Sequence, residues 1–354
     1  MIERGAPVAL VGAGTMGAGI AQVAAVAGHP VIVYDAAEGA AARAVAAVRD
    51  RVARLVQKGR LEGPVDLRLE VAGELGELAR AACVIEAVAE DLAVKQALFA
   101  DLEKVVAPDC VLATNTSSLS PTAIAAGLSH PGRLVGLHFF NPAPVMRLVE
   151  VVSGLATDPA VAAAVTTLAQ DWGKQVVQAS ATPGFIVNRV ARPFYAEALR
   201  LAEERVASPA TIDAVLTQAG GFRMGPFALM DLVGQDVNEA VTRSVWTAFG
   251  YDPRFAPSLL QRAMVEAGWL GRKTGRGFYN YAEGAEMPQP TKDDALGQQI
   301  VERVVAMLIN EAVEALHLNI ASAQDLDLAM TKGVNYPKGL LQWCDELLNT
   351  VTGT

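Results

Sequence analysis

The run PVALVGAGTMGAGIAQVAAVAGHPVIVYD, residues 7–35, constrains the fold more than any other stretch of the chain. A short β-branched segment ends in Gly12-x-Gly14-x-x-Gly17, an alanine-rich helical segment follows to about Gly28, and a second β-branched segment closes on Asp35. Glycines at those places permit a tight turn and close approach of backbone to a pyrophosphate. The helix that starts there offers N–H groups and partial positive charge to the same anion. Asp35, eighteen residues after Gly17, has the spacing of a carboxylate that holds an adenosine ribose diol and repels a 2′-phosphate. These features predict a βαβ unit that binds a dinucleotide, with NAD favoured over NADP. Glycine-rich turns occur in unrelated loops too, so the flanking strand and helix carry the weight.

The same rhythm continues through ACVIEAV, VLATNT, RLVGLHFF, LVEVVSG and WGKQVVQA, strand-like runs separated by helical stretches. It predicts a parallel sheet in a Rossmann-type α/β domain over residues 1–182. After Thr182 the strand pattern stops, and residues 183–284 read as an all-α domain closed by the loop KTGRGFYNY, 273–281. A polar, proline-containing linker is expected over 285–298, and a shortened second helical copy over 299–354. Shifting the chain by 114 positions superimposes IVNRV (186–190) on IVERV (300–304), without a gap. The same shift places Glu197 on Glu311, Ser208 on Ser322, Asp213 on Asp327, Gly225 on Gly339 and Asp231 on Asp345. One register held over that distance marks a duplication. Asn188 becomes Glu302, so the copies have not kept one chemistry.

Composition excludes several classes of partner. A net charge of −9 lacks the basic footprint that nucleic acid requires. Cys83, Cys110 and Cys344 are scattered without metal-ligand spacing, and no HExxH or His/Asp cluster supports a metal. Residues 5–28 are uncharged and long enough to suggest a membrane helix, yet they are glycine-rich, contain a proline and split into strand and helix. No membrane association and a cytoplasmic location are expected.

The chemistry-bearing candidates cluster at strand ends. TNTSS (114–118), with Asn115 and Ser117, ends one strand and His138 comes at the end of the next, where an open doubly wound sheet faces its ligand crevice. Glu150 lies in the otherwise apolar RLVEVV, where a buried carboxylate needs a partner. An imidazole is one such partner; an edge-strand glutamate facing water is the alternative. Asn188 begins the first helix of the second domain and either reaches a substrate or His138, or lies on the helix surface. Glu90 and Lys95 could meet the nicotinamide-ribose side of a cofactor or be solvated helix residues. Lys58 and Arg60 could meet the phosphates of an acyl-CoA or form a basic surface turn.

Over residues 7–282 these elements resemble the 3-hydroxyacyl-CoA dehydrogenase family, whose GAGTMG, NTSSLS, GLHFFNPAPVM, LVEVV, TPGFIVNR, GFRMGP, LMDLVGQDV and KTGRGFY elements occur here in family order. The duplicated C-terminal unit, with ASAQDLDLAM and GVNYPKG, is similar to bacterial long forms of that family, which include an enzyme of phenylacetate degradation. The resemblance implies reversible NAD-dependent oxidation of an (S)-3-hydroxyacyl-CoA to the 3-oxoacyl-CoA, the acyl group being 3-hydroxyadipyl or 3-hydroxybutyryl. It implies Ser117, His138, Glu150 and Asn188 as the catalytic set, His138 being the base and Glu150 its partner. Cofactor contacts are implied at Gly12, Gly14, Thr15, Met16, Gly17, Asp35, Glu90, Lys95, Asn115, Ser117 and Asn141. Substrate contacts are implied at Ser117, Asn188 and Lys58. Family members with one helical domain pair through it, so either a monomer with an internal pseudo-dimer or a homodimer is expected. A β-hydroxyacid dehydrogenase acting on a free acid and a noncatalytic NAD-binding relative are the rival readings.

Overall fold

A computed structural model describes residues 2–352 and divides the chain into two compact units, Met1–Phe185 and Ile186–Thr354. The first is built on one sheet of eight strands: β1 (Val8–Val11), β2 (Val31–Tyr34), β3 (Leu69–Val71), β4 (Cys83–Glu86), β5 (Val111–Thr114), β6 (Leu134–Phe139), β7 (Leu148–Ser153) and β8 (Gln175–Ser180). Their order is β3-β2-β1-β4-β5-β6-β7-β8. Helices α1 (Thr15–Val26), α2 (Ala40–Gln57), α3 (Leu92–Val105), α4 (Pro121–Ala125) and α5 (Pro159–Asp171) complete the unit. Val8, Leu10, Val33 and Ile85 pack towards α1, α2 and α5, whereas Ala9, Val11, Val84 and Leu112 pack towards α3 and α4. Strands covered on both faces have no use for alternating polarity, which is why VALV and VIVY are continuously apolar.

Strand order reverses between β1 and β4, both parallel to their neighbours, and the carboxyl ends flanking that reversal form the ligand crevice of such a sheet. Two features depart from the sequence expectation. The three-residue β3 was not anticipated: it pairs only with β2 at the sheet edge and buries one side chain, Leu69, too little to leave a periodic signal. The sheet is also not wholly parallel, because β6 and β7 run antiparallel. Only residues 140–147 separate them, fewer than a parallel crossover needs.

The second unit contains α6 (Val187–Val190), α7 (Arg192–Glu203), α8 (Pro209–Gln218), α9 (Pro226–Val233), α10 (Gln235–Ala248) and α11 (Leu259–Glu266), followed by α12 (Asp294–His317), α13 (Ala323–Gly333) and α14 (Leu340–Thr352). The 114-residue repeat is visible bond for bond. Ser208 caps α8 and Ser322 caps α13. Asp213 accepts from Phe227 N and Ala228 N at 2.9 and 2.8 Å; Asp327 accepts from Leu341 N and Gln342 N at 2.8 and 3.0 Å. Gly225 and Gly339 are glycine for one reason, since a Cβ at either would lie 2.3 or 2.2 Å from the Cγ of that aspartate.

The copies pack reciprocally. Arg189 Nε donates to Glu311 at 2.6 Å and Arg303 Nε donates to Glu197 at 3.0 Å, and each residue of one pair stands 114 positions from its counterpart in the other. Phe222 meets its own counterpart, Tyr336, edge to face at 5.0 Å. Exchange of partners in this way is the signature of a twofold, isologous interface, here within one chain.

Boundaries shift slightly from those read in the sequence. Residues 183–185 belong to the first unit, where the Phe185 ring stands edge-on to His138 at 5.8 Å. The expected linker is cut short because Asp293 accepts from Leu296 N and starts α12 at Asp294. The 273–281 loop wraps a buried carboxylate: Asp231 accepts from Phe278 N, Tyr279 N and the Tyr281 hydroxyl, and a Cβ at Gly277 would lie 2.0 Å from it.

Candidate active site

The loop between β1 and α1 shows what each glycine is for. A Cβ at Gly12, whose φ is +100°, would lie 2.6 Å from the Ala87 carbonyl oxygen, and one at Gly17 would lie 1.8 Å from the Gly12 carbonyl oxygen. The fold itself demands those two. A Cβ at Gly14 would meet open space within 4 Å, so packing does not require glycine there and a ligand has room to approach that backbone. No side chain caps α1, whose first turn contains Thr15, Met16 and Gly17. Asp35 receives Ala13 N at 2.6 Å and Ala37 N at 2.8 Å, one bond to each oxygen, which leaves acceptor capacity on both for a diol. Donor-rich loop, uncapped helix and acidic strand end fit a dinucleotide.

On the other side of the reversal, four polar side chains share the sheet face that α3 and α4 cover. Glu86, fully buried at the end of β4, accepts from Thr114 Oγ1 at 2.7 Å, from Val88 N at 2.7 Å and from Lys95 Nζ at 2.5 Å. Lys95 is 1% exposed and stands 3.4 Å from Glu90. Glu90 in turn gathers the TNTSS loop, receiving Thr116 Oγ1 at 2.6 Å, Ser117 N at 2.9 Å and Ser118 N at 3.0 Å. Burial opposes ionisation of Glu90, but the Thr116 hydroxyl, the Lys95 cation and the Ser117 N–H outweigh it and hold the carboxyl below its ordinary range. Asn115 Oδ1 receives Phe139 N at 2.8 Å and ties the ends of β5 and β6 together.

His138 and Glu150 complete that face. Antiparallel pairing sets them directly opposite each other, so both project to one side with Cβ atoms about 5 Å apart, while Leu137, Phe139, Val149 and Val151 enter the opposite core. His138 Nδ1 lies 2.6 Å from Glu150 Oε2, with His138 5% and Glu150 0% exposed. The rings of Phe140, at 4.6 Å, and Phe185 flank the imidazole. Facing an ionised carboxylate, which can only accept, Nδ1 is the donor of this bond, and in a neutral imidazole Nε2 then keeps the lone pair. Lys174 fastens the 140–147 connection by donating to the carbonyls of Ala143 and Met146 at 2.5 and 2.8 Å, and burial pulls its ammonium down to about 8.

The remaining expected residues are placed as follows. Ser117 is half-buried in the loop that Glu90 organises, and Asn141 is exposed just beyond β6. Asn188 is half-buried in α6 of the second unit. Lys58 is exposed at the C-cap of α2, with Arg60 exposed beyond it. Sequence reasoning missed Glu86 and Lys174. A glutamate ending the apolar run CVIE, nine residues before a lysine, was the available signal for the first; nothing local marked the second.

Comparison with known proteins agrees with this geometry. Residues 7–182 match the family described as 3-hydroxyacyl-CoA dehydrogenase, NAD binding domain, and residues 184–281 and 300–352 match 3-hydroxyacyl-CoA dehydrogenase, C-terminal domain. The chain is 42% identical over 429 aligned positions to the 3-hydroxyadipyl-CoA dehydrogenase of Escherichia coli K12, covering 96% of this chain and 90% of that one. At least 75 of those positions, 429 minus 354, face no residue of this chain. A probable 3-hydroxybutyryl-CoA dehydrogenase of Bacillus subtilis is 43% identical over 276 residues, 77% of this chain and 96% of its own. A crystal structure of 3-hydroxybutyryl-CoA dehydrogenase from E. coli K12 superposes with a TM-score of 0.91 at 40% identity, covering 98% of this chain and 95% of that one.

Proposed function

The chain belongs to the 3-hydroxyacyl-CoA dehydrogenase family of NAD-dependent oxidoreductases, and on that premise we propose that His138, held by Glu150, is the base that takes the hydroxyl proton when NAD oxidises an (S)-3-hydroxyacyl-CoA to its 3-oxoacyl-CoA. The observation that carries the proposal is the 2.6 Å bond between His138 Nδ1 and Glu150 at the carboxyl end of β6. NAD, when bound, supplies the hydride acceptor at the nicotinamide ring. His138 Nε2 takes the C3 hydroxyl proton, because an alkoxide gives up hydride far more readily than an alcohol does. Glu150 offsets the charge that the imidazole gains and fixes its tautomer. Ser117 and Asn188 orient the thioester and hydroxyl. In the reverse direction the imidazolium returns the proton.

On the cofactor side, the glycine loop with Thr15 and Met16, Asp35, Glu90, Asn115, Ser117 and Asn141 are the proposed contacts. Lys95, enclosed by Glu86 and Glu90, takes part by setting the Glu90 carboxylate. Lys58 is the proposed contact for CoA phosphates, supported by its exposure. The acyl group is proposed to be 3-hydroxyadipyl or 3-hydroxybutyryl, the substrates named for the Escherichia and Bacillus relatives. A cytoplasmic setting is part of the same reading, supported by three unbridged cysteines.

Replacing His138 by Gln tests the base: turnover of 3-hydroxybutyryl-CoA should fall about a hundredfold or more while NAD still binds. Turnover near wild type would refute it. The reciprocal Arg189–Glu311 and Arg303–Glu197 pairs support a second copy that stands in for a partner's domain, with the protein monomeric. Deleting residues 285–354 should then give a dimer or an aggregate by light scattering. A soluble, active monomer would contradict internal pairing.

A further inference from the structure

Among the described residues three arginines are almost fully buried, and two of them have carboxylates: Arg133 meets Glu103 at 3.4 Å and Arg189 meets Glu311 at 2.6 Å. Arg192, 6% exposed at the start of α7, has none among the described residues. Its one hydrogen bond there runs from Nη1 to the Thr242 hydroxyl at a long 3.3 Å, and its Nε has no partner. The guanidinium lies over the Tyr195 ring, 4.8 Å from the centroid. A buried cation without an anion is costly to keep, so its persistence calls for a ligand.

A second unpaired group stands close by. Tyr336 is buried, and its hydroxyl has no partner among the described residues. The Phe194 ring packs against both Tyr195 and Tyr336 at 5.7 Å, so Tyr336 stands one ring away from the tyrosine that Arg192 covers; burial pushes its phenol well up, Tyr195 adds to this and the Arg192 cation opposes it. Tyr336 also walls a pocket of about 310 Å³ together with Phe194, Phe222, Met224, Leu229 and Leu232.

The duplication supplies a built-in comparison. At the matching places the second copy has Trp343 for Leu229, Lys338 for Met224 and Glu346 for Leu232. There the indole packs against Phe222 at 6.0 Å and the lysine pairs with the glutamate, so bulkier or charged side chains stand where the first copy has the pocket's apolar wall. Arg192 is likewise replaced by Ala306, and Asn188 by Glu302. Arginine and open pocket accompany the copy that carries Asn188.

Asn188 and Arg192 are four residues apart, and Ala191 between them keeps helical dihedrals, so they share a face about 6 Å apart along the axis. In a six-carbon dicarboxylic acyl chain, the far carboxyl carbon lies three bonds beyond C3, about 4 Å when extended, and a hydrogen bond adds about 3 Å. We propose that Arg192, with Thr242 and Tyr336, receives the ω-carboxylate of a dicarboxylic 3-hydroxyacyl-CoA. The proposal rests on 3-hydroxyacyl-CoA dehydrogenation as the reaction and on Asn188 orienting the substrate.

The test compares kcat/KM for (S)-3-hydroxyadipyl-CoA and (S)-3-hydroxyhexanoyl-CoA, which have the same carbon count and differ only at the far end. The wild-type protein should prefer the adipyl thioester, and the ratio should fall about a hundredfold in Arg192→Met. Tyr336→Phe, which only removes the hydroxyl, should lower the ratio about tenfold or less, through KM. An unchanged ratio in Arg192→Met would make the arginine structural and overturn the proposal, as would a wild type without preference. If Arg192→Met does not fold, the wild-type preference and the Tyr336→Phe ratio decide. Failure of wild type on both thioesters would instead overturn the dehydrogenase reading, and the subsite with it.

Discussion

Replacing Glu150 by Gln isolates one element of the proposed chemistry. The two side chains have nearly the same shape, and the amide oxygen can still accept from His138 Nδ1, so the tautomer can be kept. What is lost is a full negative charge 2.6 Å from the imidazole, on a side chain with no solvent exposure. Unit charges about 4 Å apart at an effective dielectric near 20 interact by about 4 kcal/mol. Part of that is recovered by relaxation, and about 3–4 kcal/mol off the stabilisation of a forming imidazolium corresponds to a loss in kcat of about 10²–10³. NAD affinity should hold, since the glycine loop and Asp35 stand on β1, α1 and β2. Initial rates at saturating substrate, a fluorescence titration with NAD and a melting curve separate chemistry, binding and folding. A folded Glu150→Gln protein with kcat within threefold of wild type would refute charge compensation by Glu150.

Other expectations follow from single distances. Gly14→Ala should fold and lose NAD affinity, whereas Gly17→Ala, whose Cβ would sit 1.8 Å from a carbonyl oxygen, should be recovered poorly or melt far lower; equal behaviour of the two would contradict the assignment of the loop. Lys95→Met leaves buried Glu86 without its cation and should cost about 3–5 kcal/mol in urea denaturation; a cost below about 1 kcal/mol would contradict it. Burial raises Asp213 to about 6, against the bonds from Phe227 N–H, the Tyr279 hydroxyl and Ala228 N–H, and the Asp231 charge adds to the rise. A folded-state value above the unfolded one means that its contribution is full below about pH 4 and is lost as pH rises through 6, by about 3 kcal/mol in all. Wild type should therefore lose stability relative to Asp213→Asn between pH 4 and 7; a constant difference between the two would refute this.

How much of this was legible in the sequence depended on whether the signal was local. Gly12, Gly14, Gly17 and Asp35 sit in one βαβ unit whose spacing is dictated by the phosphate-binding turn, so they could be read directly. His138 and Glu150 could be suspected because a carboxylate inside RLVEVV needs a partner, but their register depended on β7 turning back on β6, which an expectation of parallel strands did not contain. Lys95 read as either a cofactor contact or a solvated helix residue; it is buried because Glu86, a polar end to an apolar strand, draws it in. The repeat was visible as identities at 114 residues, yet the exchange of Arg189 and Arg303 between copies was not, since sequence register says nothing about which face meets which. Arg192 was invisible for a related reason: on an amphipathic helix an arginine normally reaches solvent, and only the packing around α7 shows that this one does not.

The most direct test of the proposed chemistry is a crystal structure of the protein with NAD and acetoacetyl-CoA, measuring the distance from His138 to the 3-oxo oxygen. Nε2 should stand within about 3 Å of that oxygen while Nδ1 stays bonded to Glu150. An imidazole turned so that Nδ1 faces the ligand, or an oxygen beyond reach of either nitrogen even through one water, would contradict the assignment of His138 as the base.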